Sequence, residues 1–107
     1  MATTYQRLAS LRPADANEAA LYLVPAATQI VAVLRICNQD TAQRTYRVAH
    51  CSDTGAAGTD EFIVYDKPID GSDTHEVSIN ANAAEEIRIK ASVADKLSFH
   101  LSGMKIT

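Results

Sequence analysis

The chain has 107 residues, 47% of them hydrophobic and 21% charged, and a net charge of −3. That length makes one domain with a real core but little margin. The mildly acidic balance lacks the basic footprint of general nucleic-acid binding and gives no attraction to anionic lipid.

Residues 1–19 read as an N-terminal strand followed by an arm or loop, and residues 20–107 as the body of the same single domain. Thr4–Leu8 is a strand candidate. Arg12-Pro13-Ala14-Asp15-Ala16-Asn17-Glu18 is polar and proline-marked, an arm or loop, with a short helix over Ala14–Ala20 as the alternative. Leu21–Val24 is a strand that stops at Pro25, where the missing N–H suits a strand end. Gln29–Cys37 is the longest strand. Ile30, Ala32, Leu34 and Ile36 share one wholly apolar face, which must point into the core. Val31, Val33, Arg35 and Cys37 share the other, which is half apolar and invites cover by the arm or a neighbouring subunit.

Asn38-Gln39-Asp40-Thr41 is turn chemistry, so Gln29–Cys37 and Arg44–Cys51 are expected to form a hairpin. In that hairpin Cys37 sits beside the turn and Cys51 at the open end. They are then roughly 20 Å apart at ~3.3 Å per residue, beyond disulfide reach. Both are read as reduced within one subunit, and a bond to another chain stays open. Ser52–Asp60 is the longest loop, Glu61–Asp66 a strand, and Lys67–Asp73 a turn holding Pro68 and Gly71.

The last third has the cleanest alternation. His75, Val77 and Ile79, then Ile87, Ile89 and Ala91, then Leu97, Phe99 and Leu101 each mark a buried face opposite a wet one. After Gly103 the apolar phase flips to Met104 and Ile106, which suggests a β-bulge. Asn82–Glu86 is long enough for one helical turn. Seven to eight strands with regular turn signals predict an all-β fold, an antiparallel β-sandwich or jelly roll with a short N-terminal arm.

Chemistry is sparse. His50, His75 and His100 lie in no metal-ligand spacing. Ser52, His75 and Asp73 make a trio without a nucleophile elbow. Cys51 and His50 are adjacent and point to opposite strand faces, so they cannot pair as thiolate and base. The acidic turns around Asp66–Asp73 and Asp53–Glu61 do not follow the EF-hand order, and four scattered glycines make no phosphate loop. The reading is a non-enzyme that calls for no cofactor and no metal. Arg35 and Arg47 share the expected hairpin on its less apolar faces. With Val31, Val33 and the arm residues Tyr5, Leu8 and Leu11 they form the expected subunit interface, since Arg and Tyr are enriched at such surfaces.

Several short stretches are similar to a family of small tailed-bacteriophage virion proteins, especially those of cyanobacterial and marine phages. They are Leu21-Tyr22-x-Val24-Pro25-Ala26, the apolar strand ending Cys37-Asn38, and Thr45-Tyr46-Arg47-Val48-Ala49. Tyr65-Asp66-x-Pro68-Ile69 with Asp73-Thr74, and Leu97-Ser98-Phe99 with Ile106-Thr107, complete the resemblance. The family usually has Thr where this chain has Leu23, and Lys90, Lys96 and Lys105 make the last strands more charged here. The resemblance implies a non-enzymatic virion structural protein assembled in the host cytoplasm. Its expected partners are copies of itself, with a homotrimer favoured, and other virion proteins such as the major capsid or tail and baseplate proteins, with no nucleic acid and no membrane. Capsid decoration (cement) is the leading role. A tail, baseplate or fibre-attachment role, and a carbohydrate- or receptor-binding module, are the alternatives.

Overall fold

A computed structural model describes residues 2–107. Eight strands follow one another: β1 (Thr3–Leu11), β2 (Ala19–Leu23), β3 (Gln29–Asn38), β4 (Arg44–Cys51), β5 (Phe62–Ile69), β6 (Thr74–Ala81), β7 (Glu86–Ala91) and β8 (Leu97–Ile106). They form two four-stranded sheets. Sheet A has the order β1-β8-β3-β6 and sheet B the order β2-β7-β4-β5. Every pairing is antiparallel. This interleaved order, two Greek keys closed on each other, is that of a jelly roll.

The expected all-β sandwich is therefore what forms, and the apolar alternation builds it. Ile30, Ala32, Leu34 and Ile36 of β3 are all buried, as are Leu97, Phe99 and Leu101 of β8 and Ile87, Ile89 and Ala91 of β7. Each large side chain among them contributes about 1.5–3 kcal/mol. Tyr46 crosses the core edge-on to Phe99 at 6.3 Å between ring centroids. Its hydroxyl meets His75 Nδ1 at 2.9 Å, so the polar tip of a buried ring is satisfied.

Several expectations need correction. Gln29–Asn38 and Arg44–Cys51 do not form a hairpin: β3 pairs with β6 and β8, while β4 pairs with β5 and β7 in the other sheet. β3 carries a wholly apolar face and β4 buries Tyr46 and Val48, and these faces meet across the core instead of lying side by side. The strand expected at Thr4–Leu8 and the loop expected at Arg12–Glu18 both form, but Tyr5–Leu11 is not an arm. Thr3–Leu11 is a nine-residue edge strand on β8, and Leu8 and Leu11 pack onto the core. No bulge sits at Gly103, which pairs in register with Ala32. A side chain there would stand 2.2 Å from the Val31 carbonyl oxygen, so glycine permits close strand approach, and Met104 simply lies on the outer face. The bulge is on β1, where Leu8 is the extra residue between Arg7 and Ala9. Finally, Asn82–Glu86 holds no helical turn, and the helix alternative over Ala14–Ala20 gives way to the loop and the start of β2. The strand predicted to end at Asp66 runs on to Ile69 through Pro68, which is tolerated because β5 is a sheet edge.

The two connections at one end of the sandwich are tied together by Asn38, which is fully buried. Its side-chain amide donates to the carbonyls of Ala42 at 2.9 Å, Ile69 at 3.1 Å and Asp70 at 3.2 Å. Its Oδ1 accepts from the Asp40 N–H at 2.9 Å, and its backbone bonds to Asp73 and Ser72. Gly71 makes the crossing possible, since any Cβ there would come within 2.2 Å of the Thr41 carbonyl oxygen.

Asn38→Asp is expected to lose about 3 kcal/mol or more, because a carboxylate would face three carbonyls with no hydrogen to share. Asn38→Ala should cost less at neutral pH, and urea unfolding of both variants checks the order. Ala84 holds a left-handed backbone at φ 68°, which disfavours any side chain. Ala84→Gly is expected to gain about 0.5–1 kcal/mol, read as a raised thermal midpoint.

Candidate interaction surface

The two outer faces of the sandwich differ. On sheet A the register aligns side chains in rows across four strands. Tyr5, Met104, Val31 and Asn80 make one row; Arg7, Ser102, Val33 and Ser78 the next; Ser10, His100, Arg35 and Glu76 a third. The first two rows enclose a shallow groove of about 390 Å³. Tyr5 is 77% exposed and Val31 43% exposed, so an apolar stripe runs across three strands of an otherwise polar sheet. At the third row Arg35 Nε lies 3.1 Å from Glu76, and its Nη1 donates to Ser102 Oγ at 3.2 Å. Both charges are well exposed, so the pair adds at most about 1 kcal/mol.

The outer face of sheet B is covered by the chain itself. Ala49 and Cys51 alternate with the core residues Tyr46 and Val48, so they point outward, yet each is only 1% exposed. Glu18, on the segment leading into β2, accepts from Arg88 Nε at 2.7 Å and from the Ala57 N–H at 3.1 Å. Arg88 Nη1 donates to the buried carboxylate of Glu86 at 2.8 Å. Glu61 accepts from the N–H groups of Ser52 at 2.7 Å and Gly58 at 2.8 Å. These bonds fasten the loop between β4 and β5 at its root and middle. The Gly58 and Ser52 N–H groups hold the Glu61 carboxyl below its usual range. The hydrogen bond to Glu86 leads the contacts that strengthen the Arg88 cation.

Beside this cover, β5 carries a bulge opposite Arg47 with Asp66 at φ 48°. The bulge aims Asp66 at Arg47, whose Nε and Nη2 donate to the two carboxylate oxygens at 2.6 and 3.0 Å. That fork holds Asp66 below the usual carboxylate range. It also lays the guanidinium 3.9 Å from the Tyr65 ring centroid, with Phe62 edge-on to Tyr65 at 5.2 Å.

The seven residues marked from sequence thus separate. Tyr5, Val31, Val33 and Arg35 share the open face of sheet A. Leu8 and Leu11 turn inward. Arg47 lies on the opposite side of the molecule, locked to Asp66. Met104, Ser78 and Asn80 complete the open face and were not anticipated; the register of β8 and β6 on β3 places them there. A second depression of about 610 Å³, at the end of the sandwich near Ala27, Ala83 and Ile106, is formed mainly by turns.

Cys37 and Cys51 are free thiols. Burial first, then the charges of Glu61 and Glu18, push the Cys51 thiol from 9.0 up to about 11. Between those values the unfolded chain binds fewer protons than the folded one. Stability from this group is therefore complete below pH 9.0 and falls as pH rises toward about 11. Cys51→Ala is expected to flatten that fall in alkaline unfolding curves. Thiol labelling of the native protein is expected to modify Cys37, and Cys51 only on unfolding. No family model and no curated protein matches this chain.

Proposed function

We propose that this chain is a non-enzymatic structural subunit of a tailed-bacteriophage particle that assembles with copies of itself and decorates the capsid. The observation that carries the reading is the open face of sheet A, with Tyr5, Met104, Val31 and Val33 aligned across it. A rigid jelly roll with one face covered by its own loop and one left open suits a module whose task is to dock. Viral capsid domains are among the uses of this architecture, which is support by analogy of fold. Four strands at ~4.8 Å spacing and ten residues at ~3.3 Å give a face of roughly 600 Å². A stable contact needs about 800 Å² per partner, so the whole face and its rim are required. A homotrimer is the favoured state, and the surrounding partner is the major capsid protein. The same module serves a tail, baseplate or fibre attachment if that partner is a tail protein.

A carbohydrate-binding reading has one observation in its favour: Tyr65 is 60% exposed beside the fixed Arg47–Asp66 pair, an aromatic surface next to rigid polar groups. A glycan array tests it directly, and saturable binding lost in Tyr65→Ala would displace the structural reading.

The leading proposal expects light scattering to give an oligomer at micromolar concentration and Val31→Glu to lower its mass, by breaking the contact through the open face of sheet A, with little loss of thermal stability. It expects the protein to co-sediment with virions. A wild-type monomer that stays in the supernatant would refute it.

A further inference from the structure

Each sheet of an open sandwich ends in two strands whose outer backbone groups lack a ladder partner, a template for unwanted pairing that proteins usually disrupt. Three of the four edges here are disrupted. β1 is broken by the extra residue Leu8. β2 is five residues long and breaks register between Ala20 and Tyr22. β5 breaks register at two places and contains Pro68.

β6 is the exception. It runs for eight residues, Thr74–Ala81. It pairs with β3 in unbroken register from Ala81 to Thr74. It contains no proline and no lysine. Its one formal charge that would guard the edge, Glu76, is drawn toward the neighbouring strand by Arg35 at 3.1 Å.

We propose that the β6 edge is a docking strand for the β6 edge of a second copy, joining two sheets A into one eight-stranded sheet across a two-fold axis. The strand is complementary to itself. In an antiparallel pair across a dyad, only registers that match outward with outward residues keep one continuous sheet. With Val77 on the axis, Val77 meets Val77, His75 meets Ile79, Glu76 meets Ser78 and Thr74 meets Asn80. Half-buried Val77 then faces its own copy on the core side. The carboxylate meets a hydroxyl on the outer side, and no charge opposes its own kind. Directly opposed side-chain pairs are the unit that stabilises a sheet, and like charges set opposite each other destabilise it. The register that would centre on Glu76 sets two carboxylates opposite each other and is disfavoured for the same reason. The contact is isologous and lies on a surface other than the face built by Tyr5 and Val31. It therefore stands whether or not the phage reading does, and in a larger assembly it links one oligomer to the next.

The test is sedimentation equilibrium of the full chain, with hydrogen–deuterium exchange of β6 read at high and low concentration. The proposal expects concentration-dependent doubling of mass and alternate β6 amides that are protected only at high concentration. Val77→Lys, which sets two ammonium groups opposite each other, is expected to weaken the doubling at least tenfold, while Val31→Glu leaves it intact. Exchange of the wild-type protein decides the matter even if Val77→Lys fails to fold. Concentration-independent exchange of the β6 amides would overturn the proposal, as would doubling abolished by Val31→Glu and not by Val77→Lys. Protection of β6 that arises only when a different protein is added would also overturn it.

Discussion

The jelly-roll order depends on the chain leaving one sheet and entering the other at Asn38. After β3 the backbone must turn across the sandwich within a few residues, and β5 must return to β6 at the same end. Turns that cross at close quarters leave carbonyls facing inward, out of reach of water, and each unmatched group costs about 1–3 kcal/mol. One amide side chain satisfies the carbonyls of Ala42, Ile69 and Asp70 together. Gly71 lets the Thr41 backbone pass at a distance no other residue permits. Sheet A and sheet B are thereby fixed relative to each other at a polar joint, while the apolar faces between them supply most of the driving force.

Much of this was legible in the sequence, and the reasons are specific. Period-two alternation in β3, β7 and β8 identified the core residues, because a strand has only two faces and one of them must be dry. Pairing was less legible. β3 and β4 follow each other across a short polar connection, which is the ordinary setting of a hairpin. Nothing local distinguishes an apolar face that lies beside its neighbour from one that opposes it across a core. The phase change at Gly103 reads as a bulge although the strand is regular there, because Met104 and Ile106 are apolar on the outer face. Leu8 and Leu11 show the reverse: on a terminal strand they suggest contacts for a neighbour, yet they pack against the protein's own core. The contacts of Glu18 with Arg88 and Ala57 join residues far apart in the chain, and no pattern in one sequence announces such a bridge.

The two broad faces represent two solutions to the same problem. A sheet face with aromatic and aliphatic side chains is unstable in water unless something lies on it. On sheet B the loop after Cys51 is that cover, fastened by carboxylates that accept backbone hydrogen bonds. On sheet A the stripe of Tyr5, Met104 and Val31 has no such cover among the described residues. The difference gives the molecule a closed side and an open side, a polarity that a symmetric sandwich would lack.

The pairing of β1 with β8 has a kinetic consequence. Ala2 and Thr107 exchange backbone hydrogen bonds of 2.9 and 2.8 Å, so the first strand is zipped to the last. β8 is also the strand that joins β1 to β3. Sheet A has no continuous middle until residues 97–106 have left the ribosome, and β3, with its apolar face, waits for them. Loop closure over nearly the whole chain must precede that zipping. Folding is accordingly expected on the slow side for this size, in the millisecond-to-second range of domains built from distant contacts. During synthesis the exposed strand Gln29–Asn38 is the segment most in need of a chaperone's shelter.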